Sequence, residues 1–112
     1  MKRTFAAIVE RSSSWEAGKP PQEQPGFDLH ANYMGSLEAE GFIVFAGLMP
    51  KSGDVLFIFQ AESEDEVRRR LGQDPWQKDG HVRLVRVEEI AIRVAALQPT
   101  GTGAAPSSNQ DR

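Results

Sequence analysis

The chain predicts an α+β fold, a four-stranded antiparallel sheet with helices packed on one face. Three features of the sequence point to it. Apolar or β-branched runs of strand length recur at 4–10, 42–48, 55–60 and 81–94. Two helical segments, near 28–38 and 64–71, fall between the first and second runs and between the third and fourth. Only a short turn separates the middle two runs, which makes them a hairpin. The resulting order, βαββαβ, is that of a ferredoxin-like unit.

The elements follow in chain order. Thr4-Phe5-Ala6-Ala7-Ile8-Val9-Glu10 is short, apolar and partly β-branched, and reads as a buried strand. From Ser12 to Pro25 the three serines, Gly18, Pro20, Pro21 and Pro25 sustain neither helix nor strand. This is a long loop for so small a domain, and long loops are often lids or disordered segments. Trp15 within it has two readings, a plug holding the loop to the body or a wall of a pocket.

The first helix starts near Phe27 or Asp28. Asp28 can cap free N–H groups or sit at the positive end of the helix dipole, and Gly41 is a suitable left-handed terminator. Its inward stripe is His30, Tyr33, Met34 and Leu37, with an imidazole where an apolar residue would complete the pattern. Gly35 inside the helix costs about 1 kcal/mol against alanine, which implies close approach to the sheet or to another chain.

Phe42 to Leu48 is continuously apolar and reads as a central strand. Met49 to Asp54 is a turn, and Val55 to Gln60 is the hairpin's second strand. Ser63 and Glu66 have capping-box spacing at the head of a helix from Glu64 to Leu71, with Val67 and Leu71 inward and Gly72 closing it. Gln73 to Trp76 is a turn in which Pro75 disfavours the α conformation for Asp74 and re-aims the chain. In the final run Val85 and Val87 share one parity while Ile90, Ile92 and Val94 share the other. A bulge near Glu88-Glu89 would reconcile them. One domain thus spans 1–94, and 95–112 has the composition of a disordered tail.

Composition narrows the function classes. The 112 residues carry 16 acids and 13 bases, a net charge of -3, without the basic excess of a nucleic-acid footprint. The cluster Arg68-Arg69-Arg70 reads as a solvated helix face. Absence of cysteine excludes disulfides, zinc-thiolate sites and thiol catalysis. No signal peptide or membrane-spanning run is recognisable, so a cytoplasmic location without membrane association is expected. The two hairpin strands are apolar at nearly every position, on both faces of a sheet with one helical layer. A homodimer, sheet face against sheet face, would cover the second face.

Several of these features, in order, resemble the YCII-related (YciI-like) domain family of the dimeric α+β barrel superfamily. They are His30 early in the first helix, Gly41 before an apolar strand, and Ala46-Gly47 then Pro50 at that strand's end. Ser63-Glu64-Asp65-Glu66, Asp74-Pro75-Trp76 and Gly80 before the last strand complete the set, over residues 4 to 94. The resemblance implies a dimeric α+β barrel in which His30 and Asp74 form a catalytic pair. It implies proton chemistry on a small organic molecule, since related proteins include a dehydrochlorinase and muconolactone isomerase shares the wider fold. A carboxylate beside an imidazole fixes its tautomer and raises its basicity, which agrees with such a pairing.

Two departures stand out. Phe27 occupies the position, about one helical turn before the histidine, where many members carry an arginine able to clamp an anion. The usual Ala-Gly-Pro is here Ala46-Gly47-Leu48-Met49-Pro50, and the Ser12–Pro25 loop is expanded.

The candidate site is therefore His30 and Asp74 for proton transfer, with Phe27, Tyr33 and Trp76 as substrate-binding walls. No metal or other cofactor is expected: two histidines and scattered acids show no ligand spacing. His81, after Gly80, is expected at the surface. Two functional readings stand side by side. One is an enzyme that abstracts a proton in an elimination or isomerisation. The other is a non-catalytic dimeric module binding a small ligand or a protein.

Overall fold

A computed structural model of the protein describes residues 1–96. Four strands form one antiparallel sheet: β1 (Arg3–Arg11), β2 (Ile43–Leu48), β3 (Val55–Ala61) and β4 (Val82–Glu89). Among the described residues three α-helices complete the fold, α1 (Phe27–Ala39), α2 (Glu64–Leu71) and a single turn, α3 (Pro75–Lys78), and the loop after β1, expected to hold no helix, contains a short 3-10 turn, Pro21–Glu23. The sheet order is β2-β3-β1-β4, which is compatible with a ferredoxin-like fold.

Strand parity places the core. Phe5, Ala7 and Val9 of β1 pair with Phe59, Phe57 and Val55 of β3, and paired residues share a face. On that face they meet Leu37 from α1 and Val67 and Leu71 from α2 in one buried cluster. At about 25 cal/mol per Å² of apolar area removed from water, such interlocked aromatic and aliphatic side chains are the main favourable contribution to folding. The other parity, Ala6 and Ile8 with Ile58 and Leu56, faces away from the helices and is only partly buried.

Local chemistry sets the helix ends. Gly41, at φ 80°, ends α1 in a Schellman motif: its N–H reaches Glu38 O and the Phe42 N–H reaches Leu37 O. Asp28 lies in the first turn of α1, but the N-cap is Gly26 and no side chain caps it. The Ser63 hydroxyl caps α2 at the Glu66 N–H, while the Glu66 carboxylate reaches back to the Glu62 N–H rather than to Ser63 itself.

Several sequence expectations need correction. Phe42–Leu48 is not a central strand, because β2 lies at the sheet edge. Its unbroken apolarity reflects a register shift at Val44, after which Ala46 and Leu48 share the face of Phe57 and Val55. The irregularity in β4 falls not at Glu88-Glu89 but at Val85, which bulges out half-exposed between Leu84 and Arg86. Val85 and Val87 therefore lie on different faces, and the ladder ends at Glu89 before Ile92 and Val94, both exposed. Gly35 is exposed and a Cβ placed on it would meet nothing within 4 Å, so it makes no close approach to the sheet. The segment after Asp74 is a helical turn rather than an open one, with Pro75 at its first position. The expected disordered tail lies, from residue 97 onward, outside the described residues.

Candidate active site

α3 exists because of the pair Asp74-Pro75. Proline pre-sets the first helical φ and keeps Asp74 extended, at ψ 127°, so the aspartate becomes the N-cap. Its Oδ1 accepts from the Trp76 N–H at 3.2 Å. The same oxygen lies 2.8 Å from Nδ1 of His30 on α1. Asp74 is 2% exposed, and Oδ1 meets both donors in place of bulk water.

The bond assigns the imidazole's tautomer. A carboxylate only accepts, so Nδ1 carries the hydrogen and Nε2 is the lone-pair nitrogen of the neutral ring. Nε2 has no partner among the described residues. The ring is held from a second direction by Trp76, stacked on it at 3.8 Å between centroids and 14° between planes. The Trp76 indole is itself fixed by a 2.7 Å bond from Nε1 to Pro25 O. The His30 side chain keeps 19% exposure, and that surface borders a cleft.

The cleft, about 760 Å³, lies between α1, α3 and the sheet, with apolar walls from Met34, Ile43, Val55 and Phe57. A volume of this size is typical of small-molecule sites. Of the five residues singled out from the sequence, His30, Asp74 and Trp76 border it together. Phe27 and Tyr33 do not. Phe27 packs beside Trp76 at 6.1 Å but opens on a separate shallow depression with Gln22 and Leu29. Tyr33 is partly buried against the core, and its hydroxyl donates to Arg70 O at 2.6 Å. Arg70 in turn grips Glu40, and that hydrogen bond pushes the guanidinium pKa further up.

The Ser12–Pro25 loop is fastened at its ends by Ser12 Oγ, which donates to Gly80 O, and by Trp76 Nε1 on Pro25 O, and internally by Gln24, which is buried. Its Nε2 donates to the carbonyls of Glu16 and Lys19, both at 2.9 Å, and its Oε1 accepts from the Glu16 N–H. With both amide hydrogens used, Oε1 is fixed as an acceptor, so His81 Nε2, at 2.8 Å, must be the donor. His81 is 5% exposed, which corrects its expected surface position. Trp15 combines its two readings: it packs edge-on against Trp76 at 5.3 Å and also walls the cleft.

Gln24 carried no sequence signal, because a polar residue among prolines reads as loop. Arg11 was also missed, although strand parity marks it, since it continues the inward series Phe5, Ala7, Val9. It borders the cleft. No protein-family model matches the chain, and a search of curated proteins gives no match either. No helix among the described residues is long and apolar enough to cross a membrane.

Proposed function

We propose that the protein is a YciI-like acid–base enzyme that abstracts or moves a proton on a small organic molecule, with elimination or isomerisation as the outcome. One observation carries this reading: the 2.8 Å contact between His30 Nδ1 and a buried carboxylate, at the wall of an apolar cleft. Asp74 orients the ring and stabilises the imidazolium formed when Nε2 takes a proton. Trp76 holds the plane of the ring and shields one of its faces. Neither a nucleophilic serine motif nor a phosphate loop offers the chain another chemistry.

The working unit in this proposal is a homodimer joined through the sheet face that carries Ile8, Leu56 and Ile58, apolar positions on the side of the sheet away from the described helices. A monomer in sedimentation equilibrium at micromolar concentration refutes that part.

The chemistry is tested by deuterium incorporation from D2O into a panel of small cyclic organic acids, read by mass spectrometry. The wild type incorporates label into at least one of them. His30→Ala stays folded, with an unchanged oligomeric state, and incorporates none. A variant that unfolds makes His30 structural, and one that exchanges normally removes it from the reaction.

A further inference from the structure

We infer that Arg11 is the anion-binding residue of the cleft, and that the molecule bound there is a small apolar acid whose carboxylate rests on its guanidinium. The inference builds on the reading of His30 as the acid–base group, to which it adds the residue that would hold the acid group of the substrate.

The placement comes from the strand. Phe5, Ala7 and Val9 face the helices and are buried; Arg11 is the next position on that face, and the chain leaves the ladder after it. It pairs with Val82 at the start of β4, and both border the cleft. The guanidinium lies 4.3 Å from the centre of the Trp15 ring. Space for it is provided by the turn between β2 and β3: a Cβ on Gly53 would stand 2.8 Å from its nearest nitrogen. The arginine is thus held between an indole face and a backbone with no side chain.

What it lacks is a counter-ion. Arg3, Arg68, Arg70, Arg83 and Arg86 each pair with a carboxylate, and of the described arginines without such a pair, Arg11, Arg69 and Arg93, Arg11 alone borders the cleft. Arg11, among the described residues, has neither an ion pair nor a side-chain hydrogen bond. Its N–H groups are therefore open to a ligand, and the edge of a guanidinium binds a carboxylate in a bidentate manner.

The cleft's carboxylates do not compete for this position. Glu10 is taken by Arg83, and Asp74 by His30. Glu38, which also borders the cleft, makes no ion pair with Arg11. The cation and the imidazole meet instead around one aromatic cluster, since Trp15 stacks on Arg11 and stands edge-on to Trp76, whose face carries His30. A molecule anchored by its carboxylate at Arg11 would lay its apolar body along Val9, Val55 and Phe57, beside the histidine.

The test compares benzoate with benzamide, which have nearly the same shape and differ in charge, by titration of the intrinsic fluorescence of Trp15 and Trp76. Benzoate should bind at least about tenfold more tightly than benzamide, and ~1 M salt should narrow the gap. Arg11→Gln should weaken benzoate to the level of benzamide and leave benzamide unchanged, and Arg11→Lys should restore only part of the difference. Circular dichroism of each variant confirms the fold, and Arg11 is exposed enough for both replacements to be accommodated. His30→Ala should keep benzoate affinity within about threefold. Benzoate binding without deuterium exchange on any substrate would therefore reject the enzymatic reading and leave the anion site standing. Equal binding of the two probes, no binding of either, or benzoate affinity unaffected by Arg11→Gln overturns the assignment of Arg11.

Discussion

The contact between His30 and Asp74 can be measured as a coupling energy, through the single variants His30→Ala and Asp74→Ala and the double variant. Asp74→Ala removes the cap on the Trp76 N–H, worth about 1 kcal/mol, and strands the His30 Nδ1–H in a largely buried position at about 1–2 kcal/mol more. The single variant should therefore lose about 2–3 kcal/mol. His30→Ala removes a ring stacked on Trp76, about 0.5–1.5 kcal/mol beyond its buried area, and deprives a carboxylate that is 2% exposed of one donor. In the double variant neither partner is stranded, so its loss should fall short of the sum of the singles by about 1.5–2 kcal/mol. Urea unfolding at pH 7, followed by far-UV circular dichroism, gives all four free energies without relying on the tryptophans near the substitutions. Losses that add to within about 0.3–0.5 kcal/mol would mean that the two side chains do not interact in solution, and the tautomer argument would fall with them.

Three further outcomes test other parts of the molecule. Gln24→Leu leaves the Glu16 and Lys19 carbonyls and the His81 Nε2–H without their partner; it should cost about 2–4 kcal/mol and speed proteolysis within 12–25 before the body is cut, whereas an unchanged cleavage pattern would show that Gln24 does not hold the loop. Gly41→Ala places a Cβ at φ 80° and should cost about 1–2 kcal/mol in urea unfolding; a neutral result would mean the Schellman turn can rearrange. The hydrogen bond and charge of Lys19 hold the Glu16 carboxyl below its ordinary value of 4.5, so the unfolded chain binds more protons there, and this contribution is present above pH 4.5 and lost as pH falls through the lowered value. Glu16→Gln should slightly flatten the acid limb of stability against pH, the effect being small because the pair is open to solvent, and a steeper limb would contradict the assignment.

The elements with a strong period were legible from the residues. α2 runs from Glu64 to Leu71 as its cap spacing and the Val67–Leu71 pair require, and its four-stranded antiparallel setting follows from the order of elements. What escaped was whatever leaves no mark in composition. A bulge residue such as Val44 or Val85 has the same chemistry as its neighbours, so the face it presents depends on partner strands that the local pattern does not contain. α3 is shorter than the window in which helical periodicity can register. The proximity of His30 and Asp74 was suggested by family resemblance together with the general affinity of imidazole for carboxylate; no spacing rule links positions on separate elements. The walls were read less well. Tyr33 and Phe27 share a helix with His30, but a helix turns about 100° per residue: Tyr33 reaches Arg70 O, and Phe27 stays beside His30 and Trp76 without bordering the cleft. Gln24 shows the opposite case: a buried polar residue whose role exists only through the backbone groups of the loop it fastens.

The contact between His30 and Asp74 also has a place in the order of folding. Its partners lie 44 positions apart, one on the helix that follows β1 and the other on the turn that precedes β4. Either segment can form its own backbone turns early, but neither alone contains an oriented imidazole. Closing so long a loop costs chain entropy that is recovered only when β1 has been flanked by both β3 and β4. A chain stalled with only the central hairpin in place would have strands and helices but no proton-transfer pair. Recovery of the His30–Asp74 interaction during refolding would therefore time the joining of the two halves of the chain, an event that total helix or strand content does not report.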